Sequence, residues 1–161
     1  TEIYTLSLHD ALPISRDGTE PAALRQGGTI QPFAAPAAPS GKTILVIDDE
    51  QWILDLAGEL LRNEGHEVET AGGGQQALER LGRRKFDVII SDWKMPGLNG
   101  MRLYEHLQAT DAAAAKRVLF MTGDVVSDLF QEFLKRNNLQ CLSKPFAIGE
   151  FRAAVAKIMA T

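Results

Sequence analysis

From Thr43 onward the apolar positions follow two alternating rhythms. Short β-branched runs predict strands at Thr43–Ile47, His66–Ala71, Phe86–Ser91, Arg117–Met121 and Leu139–Leu142. Between them, apolar residues recur at helical spacing. Trp52, Ile53, Leu56, Leu60 and Leu61 form one expected face, Leu129, Phe130, Phe133 and Leu134 a second, and Ile148, Phe151, Val155 and Ile158 a third. We expect all three to be packing surfaces. Five βα units in succession predict an α/β domain around a parallel sheet.

Ahead of this region the pattern is different. Residues 1–41 hold five of the seven prolines, and Phe33–Ser40 is almost only Ala and Pro, which reads as a disordered, extended linker. The chain opens on Thr1 without a basic leader, so we expect an N-terminal fragment without a secretory signal. Thr5–Ile14 resembles translated sequencing adapter, and residues 1–20 are given no functional weight. The expected domain runs from 42 to 161.

Composition narrows the function classes. The 161 residues, 45% hydrophobic and 24% charged, suffice for one globular domain with extra length. A net charge of −4 gives no general attraction to nucleic acid or an anionic membrane, and we expect neither as a direct partner. Apolar runs such as Ile44–Ile47 are far below the ~20 residues that span a bilayer. The single Cys141 excludes an internal disulfide and a multi-cysteine zinc site, and fits a reducing, cytoplasmic compartment.

In an open parallel sheet, ligands bind at the carboxyl edge of the strands. There the first strand leads into Asp48, Asp49 and Glu50, the third into Asp92, the fourth into Thr122, and the fifth into Lys144 and Pro145. Singly, each has an ordinary explanation as a helix cap or a solvated charge. Together, at four strand ends, they point to a site. Carboxylates so gathered repel one another and call for a cation. Mg²⁺ suits this set, because it takes oxygen ligands from one or two carboxylates and keeps positions for phosphate, matching Asp49 and Asp92 with Asp48 assisting. A free Asp92 oxygen then serves as the nucleophile of an aspartyl phosphate. Lys144 neutralises the phosphoryl oxygens and Thr122 donates to one of them. The turn from Trp93 to Gly100 exposes backbone carbonyls, one a candidate metal ligand, and Gly123 keeps the approach open.

Asp48-Asp49, Asp92 with Met95-Pro96 and Gly100, Thr122-Gly123 and Lys144-Pro145-Phe146 resemble, at these spacings, the receiver domains of two-component response regulators. The resemblance covers about residues 42–161. It implies a flavodoxin-like (βα)5 fold with strand order 2-1-3-4-5, and Mg²⁺ held by Asp49, Asp92 and the Lys94 carbonyl. It further implies a cis Lys144–Pro145 bond and phosphotransfer from the phosphohistidine of a histidine kinase or phosphotransfer domain. Such a domain catalyses its own phosphorylation and dephosphorylation but is a signal carrier rather than a turnover enzyme. A downstream protein would read the face made by the fourth helix, fifth strand and fifth helix.

One departure stands out. Family members often carry an aromatic switch residue three positions before the lysine, where this chain has Cys141, so Thr122 must signal through packing rather than a ring. Lys94 and Asp124 occupy positions that tune phosphate lifetime in the family, and an ion pair between them would cross the mouth of the site. The Pro/Ala linker suits the receiver of a hybrid histidine kinase, with a free-standing regulator as the other arrangement.

Competing motifs are weaker. Gly72-x-Gly74-x-x-Ala77 formally fits a dinucleotide fingerprint, but it follows the second strand and leaves Asp48, Asp49 and Lys144 without a role. His66-Glu67-Val68-Glu69-Thr70 resembles a kinase phosphoacceptor box, yet that box must be helical and this segment alternates as a strand after a Gly65 helix stop. A phosphorylation-independent pseudo-receiver would keep the fold and lose the chemistry; the complete acid set and Lys144 argue against it.

Overall fold

The computed structural model describes residues 41–160. Apart from Gly41, the linker assigned to residues 1–41 lies outside them. Among the described residues there are five strands: β1 (Thr43–Ile47), β2 (Glu67–Ala71), β3 (Val88–Asp92), β4 (Val118–Thr122) and β5 (Gln140–Ser143). The helices are α1 (Gln51–Asn63), α2 (Gly74–Arg83), α3 (Gly100–Thr110), α4 (Ala112–Ala115), α5 (Asp128–Asn137) and α6 (Ile148–Met159). All strand pairs are parallel, in the order β2-β1-β3-β4-β5, as the resemblance implies.

The period of two in the strands explains the layers. Ile44, Val46, Val88, Ile90, Leu119 and Met121 point to one face and pack with Ile53, Leu61, Phe151 and Val155 from α1 and α6. The alternate residues Leu45, Ile47, Ile89, Val118 and Phe120 point to the other, against Ala77, Leu103, Leu107 and Phe130 from α2, α3 and α5. Both faces are covered, which is why these strands read as nearly continuous apolar runs.

Several boundaries move by one or two residues. The third, fourth and fifth strands each run one residue further than expected, so Asp92 and Thr122 are last residues of strands rather than the first beyond them. The ladder decides this: Asp92 pairs with Met121 and Thr122 with Ser143, although these polar side chains carry no strand signal. Helix α4 was not anticipated. Its signal was present in Asp111, whose side chain accepts from the Ala114 amide at 3.0 Å ahead of an alanine run. The fourth helix, fifth strand and fifth helix of the expected face correspond to α5, β5 and α6.

The expected helix faces need one correction. Ile53, Leu61, Phe130, Leu134, Phe151, Val155 and Ile158 are buried, but Trp52, Leu129 and Ile148 are exposed, and Leu54 and Ala57 take core positions in α1. The three exposed residues sit in first helical turns at the carboxyl edge, while Ile53, Phe130 and Phe151 of the same helices take the buried positions. Gly65 adopts φ 86° just after α1, the left-handed conformation expected of a helix stop. Residues 67–71 form β2, so the helical kinase box is excluded there.

Candidate functional site

The parallel register brings the ends of β1, β3, β4 and β5 to one edge, where a cleft of about 920 Å³ is lined by Asp49, Asp92, Thr122 and Lys144 among others. Asp48, immediately after β1, is fully buried below it. Its Oδ1 accepts from the Glu50 amide at 3.0 Å, and its Oδ2 lies 2.6 Å from the Lys144 ammonium. Asp49 faces solvent. Asp92 is only 6% exposed, with Oδ1 3.6 Å from Lys144 Nζ.

Electrostatics follow from this crowding. Burial pushes the Asp92 carboxyl from 3.8 up to about 6; Lys144 pulls against the shift and the Asp48 charge adds to it. Asp48 is also raised, chiefly by burial, with the Lys144 hydrogen bond offsetting part of it. For Lys144, burial alone would lower the ammonium, but Asp48, Asp92 and Glu50 outweigh it and hold the group above its ordinary value. Asp48, Asp49 and Asp92 each offer an oxygen, all within 4.8 Å of one another. Three carboxylates facing a single ammonium form an all-oxygen donor set with charge to spare, a fit for a hard divalent cation.

Thr122 is fully buried, and its Oγ1 accepts from the Asp124 amide at 3.0 Å. That bond uses a lone pair and leaves the hydroxyl hydrogen free to donate. Lys94 and Asp124 pair across the opening at 2.5 Å, as their positions suggested. Gly97 takes φ 76° in the turn after Asp92, and Lys144–Pro145 is cis. A Cβ added at Gly123 would meet nothing within 4 Å, so this side of the cleft is open. Cys141 stands exposed on β5, away from the residues lining the cleft.

Two neighbours had no assigned role. Glu50 Oε1 is 3.6 Å from Lys144, while its Oε2 accepts from the Trp52 indole at 2.7 Å. Trp52, expected in the core, is 58% exposed and lines the cleft with Leu56 and Phe146. Its place one turn after the acidic cluster was the available signal. Among the described residues, Gly72 and Gly74 do not line this cleft.

Comparison with known proteins agrees with this geometry. Residues 44–156 match the response regulator receiver domain family. Sporulation initiation phosphotransferase F of Bacillus subtilis is 33% identical over 116 residues, which cover 72% of this chain and 92% of that protein. Longer regulators are covered over only 18% to 52% of their length. The chemotaxis protein CheY4 of Vibrio cholerae superposes with a TM-score of 0.67 at 27% identity, over 74% of this chain and 99% of that one. The receiver domain of a sensor histidine kinase from Pseudomonas aeruginosa PAO1 gives 0.65 at 22% identity, over 76% and 100%. Its structure holds a magnesium ion in the active-site cleft. With the acids and the lysine placed at the carboxyl edge of a 2-1-3-4-5 sheet, this chain belongs to the response regulator receiver domain family, the phosphoacceptor modules of two-component signalling.

Proposed function

We propose that Asp92 is the residue that takes the phosphoryl group, from the phosphohistidine of a histidine kinase or phosphotransfer domain. An Asp92 carboxylate oxygen forms a bond to phosphorus as the phosphorus–nitrogen bond breaks, and the electron pair departs with the imidazole. The observation that carries this reading is Asp92 beside Asp48, Asp49 and Lys144 at the floor of one open cleft.

Asp48, Asp49, Asp92 and the Lys94 carbonyl would hold Mg²⁺. When bound, the ion screens the carboxylates from one another and from an incoming phosphoryl group. Lys144 turns from Asp48 toward the phosphoryl oxygens, and the Thr122 hydroxyl donates to one of them. The Lys94–Asp124 pair slows entry of water. Thr122 passes the change to the face of α5, β5 and α6, where Cys141 lies and a protein target docks; neither nucleic acid nor membrane is a direct partner. No described helix is long and apolar enough to cross a membrane.

The receiver domain spans 42–161, preceded by a Pro/Ala linker. A cytoplasmic hybrid histidine kinase is the setting we favour, and the coding sequence upstream distinguishes it from a free-standing regulator. Incubation with acetyl phosphate and Mg²⁺ tests the chemistry. An acid-stable, alkali-labile phosphate should form and be absent in Asp92→Asn; its persistence in that variant overturns the assignment.

A further inference from the structure

Beneath the phosphoacceptor lies an aromatic cluster that the phosphotransfer chemistry leaves without a role. Trp93, the residue after Asp92, is 7% exposed. Its ring centroid lies 4.7 Å from Phe130 and 5.0 Å from Phe133, both on α5, and 5.4 Å from Phe120 of β4 in an edge-on contact. Tyr104 of α3 completes the cluster, edge-on to Phe133 at 5.2 Å.

Trp93 is rigidly tied to the acceptor. Its amide donates to the Met121 carbonyl at 2.9 Å, and its carbonyl accepts from the Gly100 amide at 3.1 Å. A Cβ at Gly100 would stand 2.9 Å from both the Asp92 carbonyl oxygen and Phe120 Cε1. The turn from Asp92 to Gly100 is therefore packed onto Phe120 with no room to shift alone, and close-packed groups transmit displacement rather than absorb it.

The next residue repeats the link by charge, since Lys94 pairs with Asp124 in the segment entering α5. Two consecutive residues after the acceptor thus hold α5 and its approach. The surrounding surface is otherwise open: Val126 is 85% and Leu129 61% exposed. At its far end α5 is tied to α3, where Gln108 donates to Tyr104 Oη at 3.1 Å and to Asn137 Oδ1 at 3.5 Å. One end of the helix is anchored to α3 and the other rests on Trp93.

We propose that Trp93 is the positioning residue that carries the state of Asp92 to α5, through its ring contacts with Phe130 and Phe133. It supplies the lever that Cys141, with no ring, lacks. The inference rests on Asp92 being the phosphoacceptor. A phosphoryl group adds negative charge at Asp92 and draws Lys144 and Thr122 toward it, and the turn bearing Trp93 adjusts as a unit, moving the first half of α5.

The test is amide hydrogen exchange across α5 in the full chain, with and without acetyl phosphate and Mg²⁺. Wild type is compared with Trp93→Phe, Trp93→Leu and Phe133→Leu, and phosphate on Asp92 is quantified in each sample. All four proteins should take up phosphate. In wild type and Trp93→Phe, phosphorylation should change exchange over Asp128–Leu134; in the two leucine variants that change should shrink more than about threefold while unphosphorylated sheet protection stays the same. A full-sized α5 response in Phe133→Leu, or in a folded Trp93→Leu, overturns the proposal. So does an unresponsive α5 in phosphorylated wild type. Absence of phosphate on wild-type Asp92 removes the phosphoacceptor reading and this inference together, which separates that failure from a phosphorylated but silent α5.

Discussion

The Lys144 ammonium lies 2.6 Å from Asp48 and 3.6 Å from Asp92, so it is held in reserve by a neighbour of the acceptor. The fully buried Asp48 has no other cationic partner among the described ion pairs. Replacing Lys144 with Met should therefore cost stability as well as phosphate uptake. We expect a loss of about 1–3 kcal/mol in denaturant unfolding at neutral pH, because a buried charge is left unmatched. The deficit should narrow in acid as Asp48 takes up a proton; an unchanged unfolding midpoint at neutral pH contradicts the pairing.

The raised Asp92 carboxyl sets a pH dependence of definite sign. The folded group titrates at about 6 and the unfolded one near 3.8, so between these values the native state holds more protons than the unfolded chain. Stability from this group is full below the lower value, falls as pH rises through 6, and is then level. The two-unit difference corresponds to roughly 3 kcal/mol at most. Asp92→Asn should flatten this fall in metal-free buffer, and Mg²⁺ should restore stability in wild type above pH 6. Unfolding midpoints measured across pH 4–8 check both; a wild-type profile that runs parallel to that of Asp92→Asn between pH 4 and 6, both without metal, contradicts the geometry.

Lys94 and Asp124 are 64% and 33% exposed at the side chain, so their pair contributes little to folding, within about 1 kcal/mol. Its effect should appear in phosphate lifetime. Asp124→Ala should hasten decay of the Asp92 phosphate severalfold with little change in melting temperature. A lifetime unchanged in this variant and in Lys94→Ala removes the gate.

Gly100, packed under the Asp92 turn, and Gly123, lining the cleft, stand in opposite steric circumstances. A Cβ at Gly100 meets Asp92 and Phe120 at 2.9 Å, while one at Gly123 meets nothing. Gly100→Ala should destabilise by about 1–3 kcal/mol through overpacking, and Gly123→Ala should stay within about 0.5 kcal/mol. Thermal unfolding of both proteins compares them; equal effects contradict the packing around the Asp92 turn.

Much of this was legible because two periodicities are visible in a single sequence. Short continuous β-branched runs mark β1, β3 and β4 as strands, and their order along the chain places Asp48, Asp92, Thr122 and Lys144 on one edge. What stayed hidden depended on contacts distant in sequence. Hydropathy placed Trp52 in the core because its helix has apolar neighbours, but Ile53 and Leu54 take the core positions of that turn, and the indole turns to Glu50. Asp92 and Thr122 were placed just past their strands because polar side chains end an apolar run, whereas the ladder continues through the backbone. Nor does any local pattern reveal that Trp93, Phe130 and Phe133 meet; the contact exists only once β3 and α5 share a face.

The central claim is that Asp92, among three neighbouring carboxylates, forms the phosphoryl bond. Borohydride reduces an acyl phosphate to an alcohol, so trapping after acetyl phosphate and Mg²⁺ marks the acceptor for peptide sequencing by mass spectrometry. The account predicts homoserine at position 92 and unmodified aspartates at Asp48 and Asp49. Homoserine at either of those, or at neither they nor Asp92 after full exposure to the donor, would contradict it.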